Sequence, residues 1–235
     1  MPSRVRAVFL DAGGTLFRER TSRAAIYAET AQRHGLSASE AQVAEAMRAS
    51  HGELPPVVDG GFRYSRPWFE RFIADVFARL GHRRLPPALA PELFARFADA
   101  GTFRVFDDVR PALDEMKRSG LLLGVVSNWS EALPALLARL GLAERFDFVL
   151  ASAAERSEKP GSELFERALA RAGVEASAAV HVGDDVDKDY KAAMKTGVRA
   201  VLLDRERLHA DFAGERITSL DQLPPRLSSD GRPGR

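Results

Sequence analysis

Residues 5–17 read VRAVFLDAGGTLF, a short apolar run that ends abruptly at Asp11 and passes through Gly13 and Gly14 to Thr15. An unbroken run of Val, Phe and Leu is the pattern of a strand buried on both faces. Two glycines just beyond it mean a sharp turn, or a backbone that something else approaches closely. An aspartate at the carboxyl end of such a strand stands where open α/β sheets bind ligands. On its own the stretch reads equally well as a strand followed by a capped turn, and the rest of the chain decides.

The chain has 235 residues, enough for a full core and a small second domain. A net charge of +1 offers no polyanion-binding surface, so no nucleic-acid partner is expected. There is no Cys, which excludes disulfides, thiolate metal sites and a cysteine nucleophile. The N-terminal residues lack the apolar core of a signal peptide, and no apolar run is long enough to span a membrane. A cytoplasmic protein is expected.

Residues 18–101 read as helical. Thr21 or Ser22 caps a helix reaching His34, Ser37 with Glu40 suits a capping box for a helix reaching His51, and Pro67 opens WFERFIADVFARL. A further helix covers residues 92–100, and nothing in the segment alternates like a strand. From Phe103 onward, strands at 121–126, 148–151, 179–182 and 199–203 alternate with helices, the last of them at 189–195. That alternation indicates a parallel sheet with crossover helices. The expected architecture is an α/β fold: a Rossmann-like parallel sheet core (residues 1–17 and 102–227) with an inserted all-helical cap domain (18–101). The tail at 228–235, SSDGRPGR, reads as disordered.

Polar residues of one kind follow the strands: Asp11, Ser127 with Asn128, Lys159, and Asp184 with Asp185. In a parallel sheet all carboxyl ends share one edge, so these groups can converge. Asp11 and Asp184 suit Mg²⁺, which prefers carboxylate oxygens. Ser127 and Lys159 suit phosphate oxygens, and an aspartate among such groups can act as a nucleophile. Singly, each has a plainer role, as a turn, a solvated lysine or an acidic helix start; their order along the chain favours a common site.

In these motifs the chain resembles the haloacid dehalogenase superfamily of aspartate-nucleophile hydrolases. The matching residues are Asp11 to Thr15 (D-A-G-G-T), Ser127 in VVSNW, Lys159 with Pro160, and Gly183, Asp184 and Asp189 in the G-D-x-x-x-x-D pattern. The helical insert resembles the subgroup with an α-helical cap at that point. The resemblance implies Asp11 as nucleophile with Lys159 as its catalytic partner. It implies Mg²⁺ held by Asp11, the Gly13 carbonyl, Asp184 and Asp189, the last directly or through water. Ser127 would bind the transferring phosphoryl group and Asn128 would help orient it. The implied substrate is a small phosphorylated molecule.

The departure is Gly13, where family phosphatases carry a second aspartate as general acid and base. General acid–base catalysis contributes roughly 10²–10⁴-fold, so weak or leaving-group-selective hydrolysis is expected, and Gly13→Asp is expected to raise turnover of alkyl phosphates. The family's phosphonatases use a cap lysine, and residues 18–101 contain none. A metal-independent 2-haloacid dehalogenase and a non-catalytic protein that binds phosphate and Mg²⁺ remain as alternatives. In the stretch GGFRYSRPWFERF, Arg63, Tyr64, Arg66 and Trp68 are available to read the substrate, with packing of Trp68 in the cap core as the alternative. Glu19 and His51 are candidate substitutes for the missing proton carrier.

Overall fold

The structure, a computed structural model, describes residues 4–228. Of the tail expected to be disordered, residues 229–235 lie outside the described residues. The chain opens with β1 (Ala7–Leu10), every residue of which is buried. Strand β2 (Phe17–Glu19) leads into α1 (Arg23–Arg33), α2 (Glu40–Glu53), the short strands β3 (Val57–Val58) and β4 (Gly61–Phe62), α3 (Arg66–Arg79) and α4 (Leu89–Ala98). The chain returns through β5 (Phe103–Val105) to α5 (Val109–Arg118), β6 (Leu122–Ser127), α6 (Leu133–Arg139), β7 (Phe148–Ala151), α7 (Ser152–Glu155) and α8 (Glu163–Ala172). It ends with β8 (Ala179–Gly183), α9 (Ala192–Lys195), β9 (Arg199–Leu203), β10 (Arg216–Ile217) and α10 (Leu223–Ser228).

Six strands form one parallel sheet in the order β10-β9-β8-β1-β6-β7, giving the α/β, Rossmann-like architecture. The continuous apolar run of β1 follows from its central position. Val8 and Leu10 face a cluster containing Val109 and Leu113 of α5 and Leu133 and Leu137 of α6. Ala7 and Phe9 face the opposite cluster with Leu164, Phe165 and Ala168 of α8. The two-residue period of a strand sends alternate side chains to opposite faces, and here both faces are covered by helices. Strands β6 and β8 flank β1 in register, Leu10 standing opposite Val125 and Val182. The carboxyl ends of these three strands therefore emerge side by side.

Helices α1 to α4 enclose an apolar cluster of their own around the fully buried Trp68, whose ring stacks on Phe72 at 5.2 Å. The segment contains strands that the sequence pattern did not reveal. Its entry and exit pair as an antiparallel ribbon, β2 with β5, and β3 and β4 form a hairpin turning at Asp59 and Gly60, both at positive φ. Two or three residues are too few to show alternation. The capping box of α2 is formed by Ser39 and Gln42, not by Ser37 and Glu40: Ser39 accepts from the Gln42 amide, and the Gln42 side chain accepts in return.

The acidic run after β8 also differs from a plain helix start. Asp185 caps a π-helical turn, Val186–Lys191, by accepting from the Asp187 and Lys188 amides, and α9 follows. The wider turn leaves Asp189 buried and facing the sheet edge. Among the described residues no helix is long and apolar enough to cross a membrane.

Candidate active site at the carboxyl edge of the sheet

Asp11 follows β1, and its amide donates to the Val182 carbonyl of the neighbouring β8 at 2.9 Å, which fixes its backbone at the sheet edge. The loop beyond it closes tightly. Gly14 adopts φ +78°, and a Cβ there would lie 2.1 Å from Asp184 Oδ2, so only glycine lets the two strand ends approach. The Gly13–Phe17 bridge engages the Ala12 carbonyl and the Gly14 amide, and leaves the Gly13 carbonyl outside the ladder.

Lys159 reaches the same point from the loop after α7 and is 2% exposed. Its Nζ donates to Asp11 Oδ1 at 2.7 Å and to Asp189 Oδ1. Asp189 also accepts from His181 Nε2 at 2.9 Å and from the Asp185 amide at 3.1 Å. Asn128 clamps the lysine's backbone: Oδ1 accepts from the Lys159 amide and Nδ2 donates to its carbonyl, both at 2.8 Å. Asp11, Ser127, Lys159, Asp184 and Asp189 line one cavity of about 220 Å³, together with Gly13, Arg23, Tyr64, Asn128, Trp129, Asp185 and Lys188.

Carboxylate oxygens of Asp11, Asp184 and Asp189 lie within 4.8 Å of one another. Burial pushes Asp11 up; Lys159 opposes this and Asp189 reinforces it. Against burial, Lys159 and then His181 hold Asp189 well below the usual carboxylate range. Against burial of its own, Lys159 is held above its usual range by Asp11 and Asp189. Asp184 opens to the cavity, yet the recessed walls, then the charges of Asp11 and Asp189, push it up to about 7. Three carboxylates gathered around one ammonium make an electronegative centre that a divalent cation would help to neutralise. Asp11, Asp184 and the Gly13 carbonyl are a hard-oxygen set suited to such an ion. Asp189 already accepts three hydrogen bonds and fits a water-bridged place better than a direct one.

A family model described as haloacid dehalogenase-like hydrolase matches residues 5–197. The chain belongs to the haloacid dehalogenase-like hydrolases. It is 36% identical over 233 residues to "Haloacid dehalogenase-like hydrolase domain-containing protein 3" of Danio rerio, covering 95% of this chain and 96% of that one. It is 33% identical over 126 residues to a "Ribulose-1,5-bisphosphate 5-phosphatase" of Halopiger xanaduensis, covering 53% of each. Solved structures with the same fold carry both phosphatase and dehalogenase titles. The "HAD phosphatase from Thermococcus onnurineus" superposes with a TM-score of 0.71 at 25% identity, covering 95% of this chain and 98% of that one.

In this haloacid dehalogenase-like hydrolase, the residues expected at the strand ends meet in one place. Those expected to read substrate from the helical segment mostly do not. The Arg63 guanidinium donates to the His51 and Leu54 carbonyls at 3.0 and 3.3 Å, pairs with Glu158 at 3.3 Å and lies over the Trp68 ring. Arg66 pairs with Glu70 and covers Phe94. Neither lines the cavity; a guanidinium already satisfied by carbonyls and carboxylates serves the loop's own structure. Trp68 is core, donating its indole N–H to the Pro55 carbonyl. Asn128 fixes the lysine loop through Oδ1 and Nδ2 and also lines the cavity. Glu19 pairs with Arg23 and stays outside the cavity lining.

The sequence reading missed His181, Arg23, Lys188 and Trp129. A histidine inside the apolar strand AVHV has to find a polar partner when buried, and the acidic run just beyond it is the nearest source. Nothing local marks the other three. Trp129 changes the meaning of Gly13, because a Cβ at residue 13 would come within 2.9 Å of its ring. The ring is held edge-on against Phe17 at 5.5 Å and covered by Arg23. Gly13→Asp alone is therefore expected to overpack this corner, lowering stability by about 1–3 kcal/mol without raising turnover. The double variant with Trp129→Ala should recover most of the thermal midpoint. Equal midpoints for Gly13→Asp and the parent chain in a melting experiment would contradict the clash.

Proposed function

We propose that this chain is a Mg²⁺-dependent phosphohydrolase that cleaves a small phosphorylated metabolite through an aspartyl-phosphate on Asp11. The carrying observation is the convergence of Asp11, Lys159, Asp184 and Asp189 in one small cavity, with carboxylate oxygens of the three aspartates within 4.8 Å of one another. A nucleophilic carboxylate facing a dianionic phosphate needs cationic help, and the acidic trio is where a divalent ion would sit. Bound there by Asp11, Asp184 and the Gly13 carbonyl, Mg²⁺ would supply charge neutralisation for phosphate and nucleophile.

The chain's own residues do the rest. Asp11 Oδ2, the oxygen not paired with Lys159, attacks phosphorus. Lys159 holds Asp11 in position and offers its charge to the phosphoryl oxygens. Ser127, at the end of β6 and within reach of Asp11, donates to a phosphoryl oxygen. His181 keeps Asp189 ionised, and Asp189 in turn anchors Lys159. The helical segment 18–101 acts as a cap over the core formed by residues 1–17 and 102–227, and the protein works in the cytoplasm. With glycine at residue 13, no carboxyl group on that loop protonates the leaving group, so activity leans toward esters with acidic leaving groups.

The retained nucleophile favours an enzyme over a pure binder, and the acidic trio favours a metal-dependent phosphatase over a metal-free dehalogenase. With p-nitrophenyl phosphate, Mg²⁺-dependent turnover is expected, abolished by Asp11→Asn and by chelation. Chloride release from 2-chloropropionate without metal would instead establish a dehalogenase.

Mg²⁺ binding should also depend on pH. A carboxyl held at about 7 in the folded chain, and near its ordinary value when unfolded, adds stability at low pH and loses it as pH rises through 7. Below pH 7 the ion competes with a proton on Asp184; above it, the ion meets a carboxylate. Near-saturating Mg²⁺, at about 100 times Kd, adds about 2.7 kcal/mol, or roughly 5–10 °C for a chain of this size. The shift is expected to be larger at pH 8 than at pH 5.5, and equal shifts in calorimetry would count against Asp184 as a ligand.

A further inference from the structure

The cavity lacks a carboxylic acid at residue 13, yet cleaving an alkyl phosphate requires a proton for the departing oxygen. The other lining groups with a transferable proton are constrained. Arg23 is a guanidinium and does not release a proton. Lys159 is locked between Asp11 and Asp189. Lys188 is paired with Asp185 at 3.1 Å. Asp185 caps the π-helical turn and pairs with Lys188, and Asp184 is assigned to the ion, which leaves the phenol of Tyr64, contributed by the helical segment.

Tyr64 is held there against its own preferences. Its φ is +69°, in the left-handed region that a bulky aromatic residue avoids, and such backbone strain concentrates at functional positions. Its ring packs among His51, Trp68 and Phe69, with centroids 5.8 to 6.0 Å away. Its hydroxyl lies 3.0 Å from His51 Nε2. Tyr64 lines the same cavity of about 220 Å³ as Asp11, Ser127 and Lys159, so one small substrate can touch them all.

We propose that Tyr64, oriented by His51, is the catalytic acid and base of this site. The proposal rests on the phosphohydrolase function above and adds the residue that moves its proton. In the first step, Asp11 Oδ2 forms a bond to phosphorus and the bond from phosphorus to the leaving oxygen breaks. That oxygen keeps the electron pair and takes the Tyr64 proton. The phenolate left behind accepts from His51 Nε2–H and faces the cations of Arg23, Arg63 and Lys188. In the second step, water attacks phosphorus, its proton returns to the phenolate and the bond to Asp11 breaks, releasing phosphate and restoring both side chains.

The groups around the dyad suit this cycle. Burial, then Glu158, hold the Tyr64 phenol above its ordinary range, so it begins protonated; Lys188, Arg63 and Arg23 act in the opposite sense. Burial, then Arg63, Lys188 and Arg23, hold His51 below its ordinary range, so it stays a neutral hydrogen-bond donor.

The test is kcat/KM for a series of phosphate monoesters running from p-nitrophenyl through phenyl to n-butyl phosphate, in the full-length chain with Mg²⁺. Tyr64→Phe keeps the ring packing. It is expected to lose roughly 10²–10⁴-fold on n-butyl phosphate, the loss shrinking steadily as the leaving group becomes more acidic. His51→Gln keeps a donor toward Tyr64 and should retain the parent dependence on leaving group, whereas His51→Leu should steepen it. A loss by Tyr64→Phe of the same factor on every ester, or no loss at all, overturns the proposal. So does a steeper dependence in Lys188→Gln with none in Tyr64→Phe. Absence of Asp11-dependent turnover with any ester defeats the phosphohydrolase function itself, and the proposal with it, and is separate from those results.

Discussion

Everything at the sheet edge depends on one buried ammonium. Lys159 brings a positive charge to a place almost closed to water, where an unpaired charge would be prohibitive. It is tolerated because Asp11 and Asp189 receive it from two sides. The converse also holds: without Lys159 the two carboxylates would be buried against each other, and removing one partner of such a set typically costs about 3–5 kcal/mol. The lysine cannot find this position by its side chain alone. Asn128 fixes its backbone with two hydrogen bonds, and Asn128 is itself fixed because it directly follows β6, next to β1 in the sheet. Strand pairing, asparagine clamp and ion triad form a continuous chain of cause.

That chain extends into the helical segment. Glu158 precedes Lys159 and pairs with Arg63, while Arg156, two residues earlier, donates to the Gly60 carbonyl. The loop that delivers the lysine is thus also the surface on which the β3–β4 hairpin rests. Arg63 and Arg156 gain a structural explanation here, and the hairpin's contact with this loop accounts for Tyr64, the next residue, reaching the cavity. A displacement of the helical segment would move Tyr64 and disturb Glu158 together. Closure of the site and support of Lys159 are therefore mechanically coupled.

The legibility of the chain follows the range of the forces involved. Strand β1, the parallel alternation and the strand-end residues Asp11, Ser127, Lys159, Asp184 and Asp189 can be read from sequence because each is marked by an apolar run followed by a polar break. The topology then does the long-range work without further information. Arg63 and Arg66 mislead because an arginine beside aromatic residues looks the same whether it faces a ligand or caps carbonyls. For Asn128, residue type suggests contact with substrate, and the hold on the lysine's backbone comes from a register that sequence does not show. Trp129 escapes because its effect is on empty volume above Gly13, and a steric exclusion between two residues 116 positions apart leaves no local pattern. The π-helical turn that buries Asp189 differs from an ordinary helix start by a single residue of winding, below what periodicity resolves.

Gly13 and Trp129 are best understood as one feature. Glycine alone would leave a gap beside Asp11 for water or a substrate atom to enter; the indole closes it, packing on Phe17 and Phe103. The ring thereby occupies the space that a side chain at residue 13 would need. On the proposed mechanism the proton for the leaving group comes instead from the helical segment, through Tyr64. Such an arrangement links chemistry to closure more tightly than an acid on the core would. A carboxyl group on the β1 loop is present whenever Asp11 is, whereas a phenol carried by the β3–β4 hairpin is in place only when that hairpin rests on the lysine loop. On that mechanism, protonation of the leaving group is confined to the arrangement in which Arg63 and Gly60 hold to the lysine loop through Glu158 and Arg156.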